Sequence, residues 1–417
     1  MKFHLRRTLV SLLPLVALLV PSTPVSAQDL PPARPESVGL APARLGRIAG
    51  AVTLIVRHGQ IAWFDAQGMA DREAGRPMQK DSIFRICSMS KPITSTAVMM
   101  LYEEGKFLLD DPISKYLPEF KSPKVLVKTT TGPADPVPAK REITIRDLLR
   151  HTAGLTYQWN GDLGRLYADH HVAHGLVQYD GTIGDSVKNL AALPLLFSPG
   201  ERWEYSLSVD VLGRLVEVVS GQPFDEFLRT RILEPLGMKD TAFYLSEAQA
   251  PRLAAAYTYY DGPGLQPFPA TPITEGAFVY SADYPFHGPR KLFSGGAGLC
   301  STAMDYARFC QMMLNGGKLG DVRLLSRKSV ELMSHDQLGK INPDFAFGLG
   351  FSVDGEKGPL KELGSVGAFA WGGFFYTKFV IDPKEDMIVI SMMQLHPTGG
   401  LTLDSEIQVL AYQAIAD

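Results

Sequence analysis

The sequence has 417 residues, of which 45% are hydrophobic, so the chain is long enough to bury one large core or two interleaved ones. Its 41 Lys and Arg residues nearly balance 44 Asp and Glu residues, which leaves a formal net charge of -3. So small a charge excludes the strong field with which proteins gather nucleic acid or an anionic membrane surface.

The first 27 residues predict a secretory signal. Three basic residues, the last of them Arg7, precede an apolar run over 9–20, and small residues lead to Ala27, the expected cleavage site. The apolar run is too short to span a hydrocarbon core of about 30 Å. No cysteine follows it that could carry a lipid. We therefore expect a periplasmic or secreted protein without a stable membrane anchor.

Two β-hairpins are predicted at opposite ends of the chain. "AVTLIVRHGQIAWFDAQG" has two β-rich runs around the turn His58-Gly59-Gln60, and "FFYTKFVIDPKEDMIVISMMQ" has its turn over 382–386. Helical periodicity follows over 401–416. Between the hairpins lie helical stretches joined by loops rich in Pro and Gly.

This order of elements predicts an α+β fold, in the broad sense an α/β protein. We expect an antiparallel β-sheet built from both chain ends and flanked by helices, with a mostly helical lobe inserted between its halves. The predicted domains are a signal peptide over 1–27, a sheet domain over 28–85 plus 290–417, and a helical domain over 86–289.

The segment "FRICSMSKPITSTAVMM" predicts a buried helix from Ser88 to about position 104. Pro92 is tolerated only within about the first helical turn, which places Ser88 at the N-terminus. Residues three apart share a helix face, so Lys91 points at Ser88, whereas Ser90 faces elsewhere. Ser95 also lies within reach of Lys91 but is one turn deeper.

Ser88 thus combines a lysine neighbour with free backbone amides at the positive end of the helix dipole. A serine nucleophile needs both, a base for its proton and donors for the oxyanion that forms after attack. The alternative is that Ser88 only caps the helix and that Lys91 reaches the surface.

Other reactive side chains fit structural roles better. Cys87, Cys300 and Cys310 are odd in number and are expected to be small buried groups. No G-x-S-x-G accompanies His151, so a Ser/His/Asp triad is not expected. The histidines of "YADHHVAHG", at 170, 171 and 174, have metal-ligand spacing but are expected in an exposed polar loop. We predict no metal and no cofactor.

Two further stretches of the sequence contain motifs that resemble those of a known family. "WEYSLSVDVLGRLVE" contains Tyr205, and "GAFAWGGFFYTKFVIDP" contains Trp371-Gly372-Gly373. Together with Ser88-Met89-Ser90-Lys91, they resemble the three motifs of the serine β-lactamase and penicillin-binding superfamily. The likeness covers roughly 35–415 and is greatest to the class C-like esterases, the family VIII carboxylesterases.

The resemblance implies roles for these residues. It makes Ser88 the acyl-accepting nucleophile, with Lys91 and Tyr205 as the pair that takes its proton, either of which could be the base. The backbone amides of Ser88 and Phe374 would hold the oxyanion. The plainer alternatives are that Tyr205 is an aromatic residue at a helix entry and that Trp371 belongs to the core.

The chain departs from the family pattern in ways that favour an apolar pocket. Trp371-Gly372-Gly373 stands where lactamases commonly have Lys-Thr-Gly, and Leu207 stands where many have asparagine. The substrate-binding candidates are Trp371, Gly372, Gly373, Tyr157 and Trp159. The expected reaction is hydrolysis of short-chain carboxylic esters.

Three other functions stay open. They are a β-lactamase or D-amino-acid peptidase or transpeptidase acting on β-lactams or cell-wall peptides, a transacylase, and a non-catalytic binder. The expected partner is a small-molecule ester or a β-lactam-like substrate. The helix before the first strand, around 43–48, is also shorter than usual for the family, which we expect to affect stability more than chemistry.

Overall fold

The computed structural model describes residues 48–129, 132–260, 262–357, 360 and 362–416. The chain divides into two units, 1–34 and 35–417, and every described residue belongs to the second. The predicted signal peptide and most of the short helix around 43–48 lie outside the described residues and stay predictions. Within those ranges, no helix has both the length and the apolar composition needed to cross a bilayer.

An antiparallel sheet of eight strands is the largest sheet in the described part of the chain. In spatial order its strands are β14 (Ala346–Phe347), β15 (Ser352–Val353), β16 (Phe369–Gly373), β17 (Thr377–Asp382), β18 (Met387–Met392), β1 (Gly50–Arg57), β2 (Gln60–Asp71) and β3 (Arg76–Pro77). Strand β1 pairs with β18, with Leu54 opposite Ile390, so the two chain ends share one sheet. The predicted fold class is confirmed.

Short two-stranded ladders accompany the large sheet. They are β4 (Phe84–Arg85) with β11 (Cys300–Ser301), β5 (Lys124–Thr129) with β6 (Gly132–Pro138), β7 (Tyr257–Tyr260) with β8 (Gly264–Pro267), β9 (Ile273–Glu275) with β10 (Phe278–Tyr280), and β12 (Lys318–Leu319) with β13 (Val322–Arg323). Three of these ladders lie in the segment 86–289, which therefore contains strands as well as helices. The domain boundaries stay a prediction.

The α-helices lie between the strands and at the C-terminal end of the sheet. They are α1 (Ser90–Glu103), α2 (Ile145–Leu149), α3 (Gly161–Asp169), α4 (Ile183–Ala191), α5 (Ser208–Ser220), α6 (Phe224–Leu228), α7 (Ala303–Leu314), α8 (Arg327–Met333) and α9 (Leu403–Gln413). Helix α9 provides Leu403 and Ile407 to the same apolar cluster as Ala51 of β1 and Val389 of β18. The C-terminal helix therefore covers one face of the sheet.

Both predicted hairpins are present because their turns suit the strand twist. His58 and Gly59 both have positive φ, 51° and 68°, and connect β1 to β2. Two consecutive left-handed residues are what the favoured two-residue hairpin turn requires. The second hairpin joins β17 to β18, with positive φ at Asp386.

Helix α1 is buried on all sides, as its apolar sequence predicts. Every residue from Ser90 to Leu101 is buried, and Pro92 is the third residue of the helix. The α-helix begins at Ser90 rather than Ser88, because Cys87–Met89 form a separate 3₁₀ turn directly before it. Cys87 takes a left-handed φ of 44°, which bends the chain between β4 and this turn.

Candidate active site

Ser88 lies on the 3₁₀ turn that leads into α1 and is partly exposed. Lys91 is only 1% exposed, and its Nζ donates to Ser88 Oγ at 3.2 Å. Ser90 faces elsewhere, and its Oγ accepts from the Leu299 amide at 3.0 Å. Ser95 is fully buried, and its hydroxyl has no hydrogen-bond partner among the residues that the structure describes. Of the three serines around Lys91, Ser88 is thus the one that combines this contact with access to solvent.

Tyr205 comes to Ser88 from a distant part of the chain, just before α5. Its hydroxyl donates to Ser88 Oγ at 2.7 Å, and Lys91 Nζ lies 4.6 Å from the centre of its ring. The rings of His151 and Trp371 pack against Tyr205 at 5.0 Å and 5.4 Å between centroids. The hydroxyl, amine and phenol that the motifs indicated therefore converge.

Lys91 has two acceptors besides Ser88. Its Nζ donates to Tyr157 Oη at 2.9 Å and to the Gly296 carbonyl at 2.7 Å. Three acceptors match the three hydrogens of an ammonium group. Burial raises the pKa of Tyr157 well above its usual value, and the neighbouring Tyr205 adds to this, so Tyr157 stays a neutral phenol. Its contact with Lys91 was not foreseen from sequence, which indicated Tyr157 only as a pocket wall.

A cavity of about 340 Å³ opens beside these groups. It is lined by Ser88, Tyr157, Trp159, Leu176, Tyr205, Ala297, Trp371, Gly372, Gly373 and Phe374. The predicted substrate-binding residues all belong to this lining, and none of the lining side chains carries a charge. Trp159 is 46% exposed and stacks on Tyr157 with 4.2 Å between ring centroids. Leu176 and Ala297 were missed, since nothing in their local sequence marks them.

The predicted oxyanion donors, the amides of Ser88 and Phe374, both belong to residues of the cavity wall. Among the described backbone contacts between elements, neither amide donates to a protein acceptor. Phe374 directly follows β16, and its ring stacks on His396 with 3.7 Å between centroids. Burial lowers the pKa of His396, which favours the neutral ring in this stack. The stack holds the residue after Gly373 in place.

Gly373 allows β16 to approach the turn that carries Ser88. A Cβ there would lie far inside van der Waals contact with Thr377 Oγ1 and the Ile86 carbonyl, whereas one on Gly372 would meet only the Thr377 carbonyl, at 3.2 Å. Gly373→Ala should therefore lower the free energy of unfolding by about 1–3 kcal/mol, as overpacking does, with a smaller loss for Gly372→Ala. Urea denaturation of the two variants checks this, and equal losses would contradict it.

His151 is a buried packing residue beside Tyr205. It is 0% exposed, has a left-handed φ of 59°, and its Nδ1 lies 3.1 Å from Ser206 Oγ. Burial lowers the pKa of His151 well below its usual value, and the Lys91 charge acts in the same direction, so the ring is neutral. Its recorded hydrogen-bond partner is Ser206 rather than Ser88, which agrees with a structural role.

The histidine cluster after α3 does not form one exposed loop. His170 and His171 are exposed, but His174 is only 4% exposed and packs on Phe278 at 4.8 Å between ring centroids. The prediction was wrong for His174, because its Nδ1 accepts from the Leu176 amide and the loop folds inward. No group of three or more potential metal ligands occurs among the residues that the structure describes.

Burial lowers the pKa of His174 to about 4. Because this lies below the unfolded value of about 6.5, the unfolded state binds more protons as the pH falls, and stability present above about pH 6.5 is lost toward pH 4. Between pH 7 and pH 5 we expect His174 to remove about 2 kcal/mol of unfolding free energy. Urea denaturation of wild type and His174→Gln at both pH values measures this contribution. If the two proteins lost the same unfolding free energy between pH 7 and pH 5, the assignment to His174 would be contradicted.

The three cysteines are buried and unpaired, as predicted. Cys87 precedes Ser88, and its Sγ lies 3.4 Å from Tyr284 Oη. Burial raises the pKa of the Cys87 thiol to about 11, so it stays protonated at neutral pH. Cys87 is therefore unsuited to compete with Ser88 as a nucleophile.

A serine contacted by a lysine and a tyrosine, beside a large antiparallel sheet made from both chain ends, is typical of the serine β-lactamase and penicillin-binding class. The family model described as Beta-lactamase matches residues 40–413, and the chain belongs to this family.

Two curated relatives cover most of the chain. Protein Rv1367c of Mycobacterium tuberculosis is 34% identical over 89% of this chain and 91% of its own. Esterase EstB of Burkholderia gladioli is 33% identical over 82% of this chain and 85% of its own. Among solved structures, EstCE1, described as a hydrolase with promiscuous acyltransferase activity, aligns with a TM-score of 0.76 and 28% identity over 90% of this chain and 97% of its own.

Proposed function

We propose that this protein hydrolyses uncharged short-chain carboxylic esters through an acyl-enzyme on Ser88. The observation that carries the proposal is the position of Ser88 Oγ, 2.7 Å from Tyr205 Oη and 3.2 Å from Lys91 Nζ, at a cavity whose lining side chains carry no charge. Membership of the family, together with its esterase relatives, makes the protein a serine hydrolase.

The contacts support a two-step reaction. Ser88 Oγ attacks the ester carbonyl, its proton passes to the Tyr205–Lys91 pair, and the carbonyl oxygen becomes an oxyanion at the amides of Ser88 and Phe374. The C–O bond to the alcohol then breaks, and the alcohol leaves with the proton from the pair. Water repeats these steps on the acyl-enzyme and releases the acid. Both Lys91 Nζ and Tyr205 Oη donate to Ser88 Oγ in the structure, so one of the two must first release a hydrogen to solvent, and as an amine or a phenolate it can then accept the proton of Ser88.

The cavity supports an ester rather than an anionic substrate. Substrates with a carboxylate, such as a penicillin, gain most from a cationic partner, and none of the described lining residues provides one at the cavity surface. Trp371 and Trp159 offer aromatic surface instead, which suits an apolar acyl or alcohol group. The relative EstB is named an esterase, which also supports an ester substrate.

Mass spectrometry of the intact protein tests the proposal. Mixing with p-nitrophenyl butyrate or with nitrocefin, followed by a rapid acid quench, should trap a butyryl adduct and little adduct from nitrocefin. Digestion of the quenched protein should then locate the butyryl group on the Ser88 peptide. Steady-state hydrolysis should favour the ester by about a hundredfold or more in kcat/KM, the discrimination possible when one substrate leaves a buried charge unpaired. A preference for nitrocefin would establish the β-lactamase alternative, and an adduct on another residue would contradict the proposal.

Acyl transfer to an alcohol is a second candidate function. The half-exposed Trp159, stacked on Tyr157 at the cavity, provides a surface on which an apolar alcohol can displace water. The similar protein EstCE1 is described as a hydrolase with promiscuous acyltransferase activity. Hydrolysis of p-nitrophenyl butyrate in the presence of an aliphatic alcohol should yield a butyrate ester besides butyric acid. If butyric acid were the sole product, acyl transfer would be contradicted and hydrolysis would be the remaining function.

A further inference from the structure

Asp210 is a buried acid that the reaction described above does not use. It lies in the first turn of α5, the helix that follows Tyr205, and its side chain is only 5% exposed. The first turn of a helix favours negative charge, but removal of a carboxylate from water is costly unless it is paired and hydrogen-bonded. The contacts of Asp210 show what compensates for this cost.

One carboxylate oxygen of Asp210 holds the turn that faces Lys91. Its Oδ1 accepts from Ser294 Oγ at 2.6 Å and from the Gly296 amide at 3.4 Å, and Ser294 Oγ in turn accepts from the Ala297 amide at 3.1 Å. The carbonyl of the same Gly296 accepts from Lys91 Nζ at 2.7 Å. The carboxylate is therefore connected to Lys91 through a single peptide turn.

The other oxygen of Asp210 faces Lys91 across the missing side chain of Gly296. The position that a Cβ on Gly296 would occupy lies 2.5 Å from Asp210 Oδ2 and 3.5 Å from Lys91 Nζ. Oδ2 has no hydrogen-bond partner among the described residues. Burial raises the pKa of Asp210, while its Ser294 hydrogen bond and the charge of Lys91 act against that rise.

Asp210 is a carboxylate whose charge interacts with that of Lys91. The other titratable groups that face Lys91 from the surrounding segments are Cys87, His151, Tyr157 and Tyr205. Burial holds the Cys87 thiol protonated, His151 neutral and Tyr157 a phenol. Tyr205 donates its own hydrogen to Ser88.

We propose that Asp210 is a positioning residue, which aims Lys91 at Ser88 through the Ser294–Ala297 turn and through its charge. This inference deepens the proposed function and rests on it. Asp210 touches no reacting atom. It acts through Lys91, whose direction of donation at Ser88 depends on the Gly296 carbonyl and on the nearby charge.

Asp210→Asn tests the proposal because it removes the charge and keeps the shape. The readouts are kcat/KM for p-nitrophenyl butyrate and the rate at which a fluorophosphonate probe labels Ser88, both measured from about pH 6 to about pH 10. We expect both rates to fall about tenfold or more, and their alkaline limbs to move about one unit toward lower pH, since removal of a nearby carboxylate disfavours positive charge at the site. An alkaline limb that stays at the wild-type position would overturn the proposal.

Asp305→Asn is the matched control. Asp305 is also a buried acid in the first turn of a helix, α7, where its carboxylate accepts from the Asp240 amide at 2.7 Å, and burial raises its pKa as well. This variant should keep the wild-type pH profile. If Asp305→Asn moved the alkaline limb equally, loss of a buried acid in general would explain the result, and the proposal would fall.

Ser294→Ala removes the hydrogen bond between Ser294 and Asp210 but keeps the carboxylate, so it separates the effect of the turn from the effect of the charge. It also provides a test if Asp210→Asn fails to fold. It should lower both rates about threefold or more while the alkaline limb stays in place, because the carboxylate remains. Unchanged rates, or an alkaline limb that shifts, would overturn the proposal.

Failure of the proposed function would look different. A wild-type protein that labels at Ser88 but does not hydrolyse esters would refute the esterase function, and the labelling rates would still test Asp210. Ester hydrolysis with an unshifted Asp210→Asn profile would refute the role of Asp210 alone. Absence of both labelling and hydrolysis would overturn both.

Discussion

Replacement of Ser88 by alanine should lower kcat/KM for p-nitrophenyl butyrate at least about a thousandfold. The serine hydroxyl is the group on which Tyr205 and Lys91 converge, and loss of Oγ leaves both without their shared partner. Stopped-flow or steady-state release of nitrophenolate measures the effect. Because Ser88 is partly exposed and its hydroxyl has no further hydrogen bond among the described residues, the melting temperature should change little.

Ser90→Ala provides the matched control within the same four-residue motif. Its hydroxyl is fully buried and accepts from the Leu299 amide, so its loss should cost about 1–3 kcal/mol of stability, as for an unsatisfied buried donor. Its kcat/KM should stay close to that of wild type. A Ser88→Ala protein that keeps its activity, or a Ser90→Ala protein that loses it, would show that the nucleophile is misassigned.

Tyr205→Phe should lower kcat by about a hundredfold to a thousandfold, with a smaller change in KM. The substitution removes the hydroxyl 2.7 Å from Ser88 Oγ but keeps the ring that packs on His151 and Trp371. The loss should therefore affect proton transfer rather than folding. Burst kinetics would show slower acylation, since one member of the pair that takes the proton of Ser88 is lost.

Tyr157→Phe is the comparison for a second phenol at the same site. Its hydroxyl accepts from Lys91 rather than contacting Ser88, so its loss should slow kcat by about tenfold, consistent with the loss of a hydrogen bond to a charged group. Equal effects of the two Phe variants would contradict a direct role for Tyr205. An effect of Tyr157→Phe larger than that of Tyr205→Phe would reverse the assignment of the two phenols.

The local part of the site could be predicted from sequence. The contact of Lys91 with Ser88 follows from helical spacing, and the position of Ser88 before the buried helix follows from Pro92. The approach of Tyr205 was predicted only through the resemblance of three motifs, because no local rule connects positions that are 117 residues apart. The sheet from both chain ends was predicted because each hairpin carries its own turn signal.

The remaining contacts depend on how distant segments pack. The partners of Lys91 at Tyr157 and Gly296 lie 66 and 205 residues away, and neither has a distinctive local sequence. His174 was misplaced for the same reason, since polar neighbours predict exposure, whereas the ring lies under Phe278. Asp210 looks like an ordinary acid in the first turn of a helix until the turn over 294–297 is set beside it.

The thiol of Cys87, adjacent to Ser88, has a consequence for inhibitor chemistry and for oxidative stress. Alkylating reagents and peroxides consume thiolates, and this sulfur stays protonated beneath the protein surface. Reagents that modify hydroxyl groups should therefore label this protein, whereas reagents that modify thiolates should not react at Cys87. Hydrolysis should also persist under oxidising conditions in which cysteine-dependent enzymes are inactivated.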